Sequence, residues 1–173
     1  GDLIRSLSVE QRMTICNMTI EGGARAGLIE PDEKIFKYLK GKPMSPKGDN
    51  WEKALNYWNG LKTDPNANFD KEINLNASEI LPMITWGTSP QDVITIDGKV
   101  PNPQNETDED KKNSIERSLK YMGLKPDMSA KEIKIDKVFI GSCTNGRIED
   151  LREAAKILKD KKVSSHVNAM VVP

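Results

Sequence analysis

A single cysteine, Cys143, lies in a short loop that is bounded by Gly141 and Gly146 and separates two apolar segments. The run Val138-Phe139-Ile140 before the loop predicts a buried strand. After the loop, apolar residues recur at helical spacing on one face, at Ile148, Leu151, Ala155 and Leu158. A thiol just before a helix N-terminus is favoured as the thiolate, which is the form that binds iron or zinc. From this position alone, a buried structural thiol is an equally good interpretation.

The segments around this loop predict a β-α-β unit. A strand is expected over residues 134–140 and a second strand over residues 167–172. The helix between them is expected to be capped by Asn145 or Gly146 and to end near Lys159. Strands joined in this way are expected to be parallel, with a right-handed crossover.

The first part of the chain is predicted to be rich in helix. Ser8 and Gln11 form the pattern of a capping box, which predicts a helix from about Val9 to Ala26. Further elements are predicted as helices over residues 31–39 and 51–61, a half-buried strand over 71–76, and a helix that follows the acidic residues 106–110 and ends near Gly123. The predicted fold class is α/β, with a helix-rich segment over residues 1–72 and an α/β segment over residues 73–173.

Composition narrows the classes of function. The chain has 173 residues, and its 26 Lys and Arg are balanced by 26 Asp and Glu, so it has no excess positive charge to bind a nucleic acid backbone. No apolar run approaches the roughly 20 residues that cross a bilayer. The two cysteines, Cys16 and Cys143, are too few for a disulfide framework, and Cys16 falls within a predicted helix. The sequence therefore predicts a soluble, cytoplasmic protein that binds neither nucleic acid nor membrane.

Three segments resemble signatures of the aconitase superfamily. Residues 141–151, GSCTNGRIEDL, resemble its first cluster-cysteine motif. Residues 12–27, RMTICNMTIEGGARAG, and residues 85–90, TWGTSP, resemble two further motifs, and all three occur in the order of that family. Together they resemble the large subunits of 3-isopropylmalate dehydratases, and the Gly-Arg pair after Cys-Thr-Asn is more similar to this isopropylmalate branch than to mitochondrial-type aconitase. The resemblance implies aconitase-like domains.

The resemblance also implies a cofactor around Cys143. In that family the corresponding cysteine is the first of three thiolate ligands of a 4Fe-4S cluster, whose fourth iron stays open to substrate and solvent. Ser142, Thr144 and Asn145 are then expected to donate hydrogen bonds to the cluster sulfurs or to cap the following helix. Arg147 is expected to contact a substrate carboxylate, although a solvated side chain in the first helical turn is an equally good interpretation.

Two residues of the N-terminal motif are implied to act beside the cluster. Asn17 resembles the family's asparagine near the cluster, and Glu21 resembles its carboxylate that takes and returns a proton of iron-bound solvent. Their spacing of four would place both on one stripe of a helix. The alternative for Glu21 is an exposed ion pair with Arg25, also four residues away. Cys16 resembles a position that does not bind the cluster.

The implied activity is that of a hydro-lyase in leucine biosynthesis, which interconverts 2-isopropylmalate and 3-isopropylmalate through isopropylmaleate. The implied partner is the small subunit, a swivelling domain that carries the base for the carbon-bound proton. A homoaconitase, a citramalate isomerase and an aconitase are the alternatives in the same superfamily. A different class of protein, a structural module that folds without metal, is also consistent with the sequence.

The chain resembles an internal fragment of such a large subunit. The family's second and third cluster cysteines form a Cys-x-x-Cys pair, and no such pair occurs in these residues. Its active-site histidines have no counterpart here either, because His166 is the only histidine. The isolated chain is therefore expected to hold no four-iron cluster and to be inactive.

Overall fold

A computed structural model describes residues 1–172. The helices are α1 (Asp2–Ser6), α2 (Val9–Met18), α3 (Glu33–Leu39), α4 (Asp49–Asn59), α5 (Glu109–Met122) and α6 (Ile148–Leu158). The strands are β1 (Met83–Thr85), β2 (Val93–Thr95), β3 (Lys137–Gly141) and β4 (Asn168–Val172). Short 3-10 turns occur at Ala77–Glu79, Pro103–Asn105 and Ala130–Glu132. None of the helices in this part of the chain has the length and apolar composition that crossing a bilayer requires.

The chain forms two compact units. The first contains Gly1–Asn74 together with the segment from Lys137 onward, and the second contains Leu75–Asp136. The first unit therefore joins the N-terminal helices to the segment that carries Cys143. The predicted division into residues 1–72 and 73–173 remains a prediction.

The predicted β-α-β unit is confirmed in the first unit. Strands β3 and β4 pair in parallel, with Lys137 opposite Asn168 and Gly141 opposite Val172, and α6 lies between them in the chain. The prediction that the segment before Cys143 is a buried strand is wrong at Phe139, whose side chain is 56% exposed. Val138 and Ile140 are half-buried on the opposite face of β3, whereas every residue of β4 is exposed. The α/β fold class is confirmed.

Helix α2 begins as predicted but ends early. Ser8 Oγ accepts a hydrogen bond from the Gln11 backbone at 3.2 Å, and Gln11 Oε1 accepts one from the Ser8 backbone at 2.9 Å. The prediction that the helix continues to Ala26 is wrong, because α2 ends at Met18 and turns follow. The early end of the helix has a local cause, because Gly22 and Gly23 follow it and glycine stabilises a helix poorly. Gly23 also has φ of 83°, which lies outside the helical range.

The chain then returns along the same helix. A Cβ atom on Gly27 would lie 2.7 Å from the Cα atom of Cys16, which is closer than real Cβ atoms approach a backbone. Glycine at position 27 therefore permits the backbone of this segment to pack directly against α2. Cys16, whose backbone makes this contact, is half-buried.

An ion pair between the buried Arg12 and the half-buried Asp32 joins the first three helices. Arg12 on α2 is only 3% exposed, and its Nη2 atom donates hydrogen bonds to Asp32 Oδ2 at 2.7 Å and to the Arg5 carbonyl at 3.2 Å. Asp32 also caps α3, because its Oδ1 atom accepts from the backbone N–H groups of Lys34 and Ile35. The Lys34 ammonium in turn donates to the carbonyls that end α1.

We expect the weakening of this ion pair to lower the stability of the folded protein in acid. The hydrogen bond from Arg12 holds the pKa of Asp32 below its ordinary value of 3.8. The pair therefore contributes fully above pH 3.8, and its contribution falls as the pH drops below that value toward the pKa of the folded state. We expect Asp32→Asn to lower the free energy of unfolding by about 1–3 kcal/mol at pH 7. The difference between wild type and variant should shrink at pH 3, as measured by urea unfolding. An equal difference at both pH values would contradict this account.

The second unit holds the third sequence motif in place by packing. Trp86, Val100 and Leu119 form its buried core. Strands β1 and β2 pair antiparallel beside this core, with Met83 opposite Thr95. Helix α5 ends at Gly123, as predicted, where a left-handed residue with φ of 66° closes the helix. The motif's tryptophan therefore has a structural role.

Asp92 organises the turn that follows Trp86. Its Oδ2 atom accepts hydrogen bonds from the backbones of Thr88 at 2.9 Å and Ser89 at 3.1 Å, and from the hydroxyl of Ser118 at 3.1 Å. A Cβ atom on Gly87 would collide with this carboxylate. The Thr-Trp-Gly-Thr-Ser sequence is thus explained by the local packing of a turn.

The predicted strand over residues 71–76 is wrong. The segment has no regular secondary structure, and Ile73 and Leu75 are 71% and 77% exposed. Alternation of apolar and polar residues predicts a strand only where another strand pairs with it, and this segment has no partner within residues 1–172. Asn76 instead begins a 3-10 turn, with its Oδ1 atom accepting from the Ser78 backbone.

Candidate functional site

The cysteine loop leaves β3 through a sharp backbone turn. Gly141 has φ of 133°, and a Cβ atom there would collide with the carbonyl oxygen of Val172 on the neighbouring strand. Ser142 follows with φ of 128°, a conformation that side-chain-bearing residues rarely adopt. Unfavourable backbone conformations of this kind cluster at functional sites. The turn directs the chain away from the sheet immediately before Cys143.

Cys143 is exposed on this loop and lines a pocket. Its Sγ atom lies 3.8 Å from the hydroxyl of Thr144. The pocket has a volume of about 350 Å³ and is lined by Ser142, Cys143, Gly146, Arg147 and Val172. The structure therefore excludes the buried thiol as the interpretation of Cys143, and it brings Ser142 and Arg147 to the same pocket.

Arg147 immediately precedes α6, and its side chain stabilises the cysteine loop. Its guanidinium Nη1 donates to the carbonyl of Thr144, and its backbone N–H donates to Asp150 Oδ2 at 3.1 Å. The prediction that Asn145 or Gly146 caps the helix is wrong, because Arg147 is the residue at the N-cap. Asp150 accepts this hydrogen bond from the N-cap backbone, which is one half of a capping box. Arg147 has no acceptor on its side chain and caps no N–H group of the first turn. Arg147 is half-buried, so it is not a freely solvated side chain.

Asn145 makes a contact that the sequence did not predict. Its Nδ2 atom donates to Thr14 Oγ1 on α2 at 3.1 Å. This hydrogen bond joins the cysteine loop to the N-terminal motif within the first unit. No sequence signal pointed to Thr14, because it lies inside a helix far away in the chain.

Asn17 and Glu21 have different local structures. Asn17 is exposed on the last turn of α2, one turn beyond Thr14, whereas Glu21 is exposed in the turns that follow the helix. The predicted helical stripe through both residues is therefore wrong. The alternative also fails for residues 1–172, in which Glu21 and Arg25 form no ion pair. No side-chain hydrogen bond in that part of the chain joins Glu21 to the cysteine loop, and its role remains a prediction.

The residues around Cys143 fit one ligand position of an iron-sulfur cluster and no more. A 4Fe-4S cluster is held by several thiolates. The chain has two cysteines, and Cys16 is half-buried against Gly27. Within the described residues, no group of three or more His, Cys, Asp or Glu side chains is arranged to hold a metal ion. A cluster at Cys143 would therefore need thiolates from outside residues 1–173.

A known protein family matches the whole chain. The Aconitase family (aconitate hydratase) matches the chain over residues 1–173. The match includes the N-terminal helix α2, the turn at Trp86 and the cysteine loop. The chain belongs to the aconitase family, whose members are hydro-lyases and isomerases.

Proposed function

We propose that the chain is part of the large subunit of a 3-isopropylmalate dehydratase, which isomerises 2-isopropylmalate and 3-isopropylmalate through isopropylmaleate in leucine biosynthesis. The observation that carries this proposal is the exposed cysteine on the strained loop between β3 and α6. The Gly146-Arg147 pair after Cys-Thr-Asn supports the isopropylmalate branch of the family.

In this proposal Cys143 supplies one thiolate of a 4Fe-4S cluster, and the remaining thiolates come from outside these residues. When bound, such a cluster supplies a Lewis-acidic iron that makes a hydroxyl a better leaving group. Thr144 Oγ1 lies 3.8 Å from Sγ of Cys143 and in this proposal donates a hydrogen bond to the thiolate. Ser142 lines the same pocket, where we propose that its hydroxyl donates a hydrogen bond to a cluster sulfur.

We propose two roles for Arg147. One guanidinium N–H group binds the Thr144 carbonyl and fixes the loop. Its remaining N–H groups are available to a substrate carboxylate in the pocket that Arg147 shares with Cys143. A planar guanidinium suits this task because it matches the geometry of a carboxylate.

Asn17 and Glu21 complete the proposed site. Asn17 provides an exposed amide on the helix that contacts the cysteine loop. The carboxylate of Glu21 is exposed and engaged in no ion pair among residues 1–172, so it is free to accept a proton from solvent and return it. The base that removes the carbon-bound proton is assigned to the small subunit, and the assembled enzyme is proposed to be cytoplasmic.

Turnover of competing substrates tests this assignment. The full-length large subunit would be reconstituted with iron and sulfide, combined with its small subunit, and supplied with 2-isopropylmalate, citrate, homocitrate or citramalate. Formation of the unsaturated intermediate can be followed by its ultraviolet absorbance. We expect kcat/KM for 2-isopropylmalate to exceed that for the other acids by about 10²-fold, the discrimination that differing side-chain contacts supply.

The alternative functions correspond to different outcomes of the same assay. Preference for citrate, homocitrate or citramalate would assign the protein to an aconitase, a homoaconitase or a citramalate isomerase. Full cluster content without turnover of any of these acids would contradict the proposed class of reaction.

A further inference from the structure

The hydrogen bond between Thr14 and Asn145 has a defined direction. Thr14 Oγ1 lies 3.2 Å from the Glu10 carbonyl, to which it donates its single proton. The same oxygen lies 3.1 Å from Asn145 Nδ2, so it can only accept from Asn145. Asn145 therefore uses one of its two N–H groups to bind α2. Both partners of this contact are held in one orientation.

This contact fixes the part of the cysteine loop that its other interactions leave free. The loop begins at Gly141, which pairs with Val172 in the sheet. It ends at Arg147, which binds the Thr144 carbonyl and Asp150. Asn145, two residues after Cys143, donates the hydrogen bond to Thr14. Within residues 1–172, this side-chain hydrogen bond joins the cysteine loop to α2.

The same contact places the cysteine loop next to the helix face that carries Asn17. Residues three apart on a helix have Cβ atoms about 5–6 Å apart on one face. Asn17 is three residues beyond Thr14 and both belong to α2. Asn17 therefore lies on the same side of α2 as the hydroxyl that binds the cysteine loop.

We propose that Thr14 is a positioning residue, whose hydroxyl holds Asn145 and thereby fixes Cys143 for cluster binding. The proposal rests on the proposed function in one respect, since it takes Cys143 as a cluster ligand. Loss of the hydroxyl lets the loop detach from α2 more often, and a detached loop releases its ligand more readily.

The test compares Thr14→Val, which removes the hydroxyl with little change of shape, with Thr14→Ser, which keeps it. In the reconstituted full-length protein, the rate constant of cluster loss to an iron chelator is measured by visible absorbance. We expect Thr14→Val to raise this rate constant about fivefold, the equivalent of a single hydrogen bond of ~1 kcal/mol. Thr14→Ser should remain within twofold of wild type. Equal rate constants in all three proteins would overturn the proposal, even if Thr14→Val lowers the melting temperature.

A mutant cycle identifies the partner of Thr14. Asn145→Ala should accelerate cluster loss by a similar factor, and the Thr14→Val and Asn145→Ala double variant should be no faster than either single variant. Rate effects that multiply in the double variant would show that the two residues act separately. That outcome would also overturn the proposal.

A measurement without the cluster separates this proposal from the proposed function. In the apo protein, the initial rates of trypsin cleavage after Arg147 and after Arg25 are compared by mass spectrometry of the products. Arg147 is half-buried at the end of the cysteine loop, whereas Arg25 is exposed. Proteolysis follows the population of the opened loop, so we expect Thr14→Val to raise the ratio of cleavage after Arg147 to cleavage after Arg25 about fivefold, and Thr14→Ser to leave it unchanged. If wild type takes up no cluster but this ratio still rises, the proposed function fails and the positioning role of Thr14 stands. An unchanged ratio contradicts that positioning role.

Discussion

Cys143→Ser in the full-length protein is expected to eliminate cluster binding and turnover. Cys143 is exposed on the loop after β3, and a serine hydroxyl is a poor replacement for a soft thiolate ligand of iron. Iron and sulfide analysis together with the visible absorbance of the reconstituted protein measures the loss.

Cys16→Ala is the matched control. Cys16 is half-buried where Gly27 packs against α2, so its loss should lower the free energy of unfolding by roughly 0.5–3 kcal/mol and leave the cluster in place. Equal loss of iron in both variants would show that the ligand has been assigned to the wrong cysteine.

Glu21→Gln is expected to reduce turnover by roughly 10²- to 10⁴-fold, the usual contribution of a general acid or base. The amide keeps the size of the side chain but cannot take up a proton. Glu21 is exposed in the turns after α2 and forms no ion pair within residues 1–172, so the substitution removes no stabilising contact of that kind. The melting temperature and the cluster content should stay close to those of wild type.

Glu30→Gln provides the comparison, because Glu30 is another exposed glutamate of the same unit. It should retain nearly full turnover in the two-subunit assay. If Glu21→Gln also stays within a few-fold of wild type, then Glu21 is only a surface residue of the turn, and its proposed proton transfer is wrong.

Features with local causes were predicted well from the sequence. The capping box of Ser8 and Gln11 placed the start of α2, and Gly123 placed the end of α5, because each signal acts within a few residues. The parallel pairing of β3 with β4 followed from a strand, a helix and a strand in succession. These predictions needed no knowledge of distant contacts.

Features that depend on tertiary contacts were not predictable in the same way. The exposure of Phe139 depends on which face of the sheet is covered, and the exposure of Ile73 on the lack of a pairing strand in the described residues. The early end of α2 was predictable in part, since Gly22 and Gly23 are unfavourable in a helix. The hydrogen bond from Asn145 to Thr14 joins residues 131 apart, and nothing in either local sequence indicated it.

We propose that the loop after β3 supplies a cluster ligand beside a proton-handling carboxylate. The most direct measurement is iron-edge anomalous diffraction from crystals of the reconstituted full-length enzyme, which locates each iron atom. We expect four irons at the pocket of Cys143, with its Sγ atom bonded to one of them. It also predicts that the Glu21 carboxylate lies about 2.6–3.2 Å from solvent bound to another iron. A cluster held entirely by other residues, with Cys143 unbound, would contradict it.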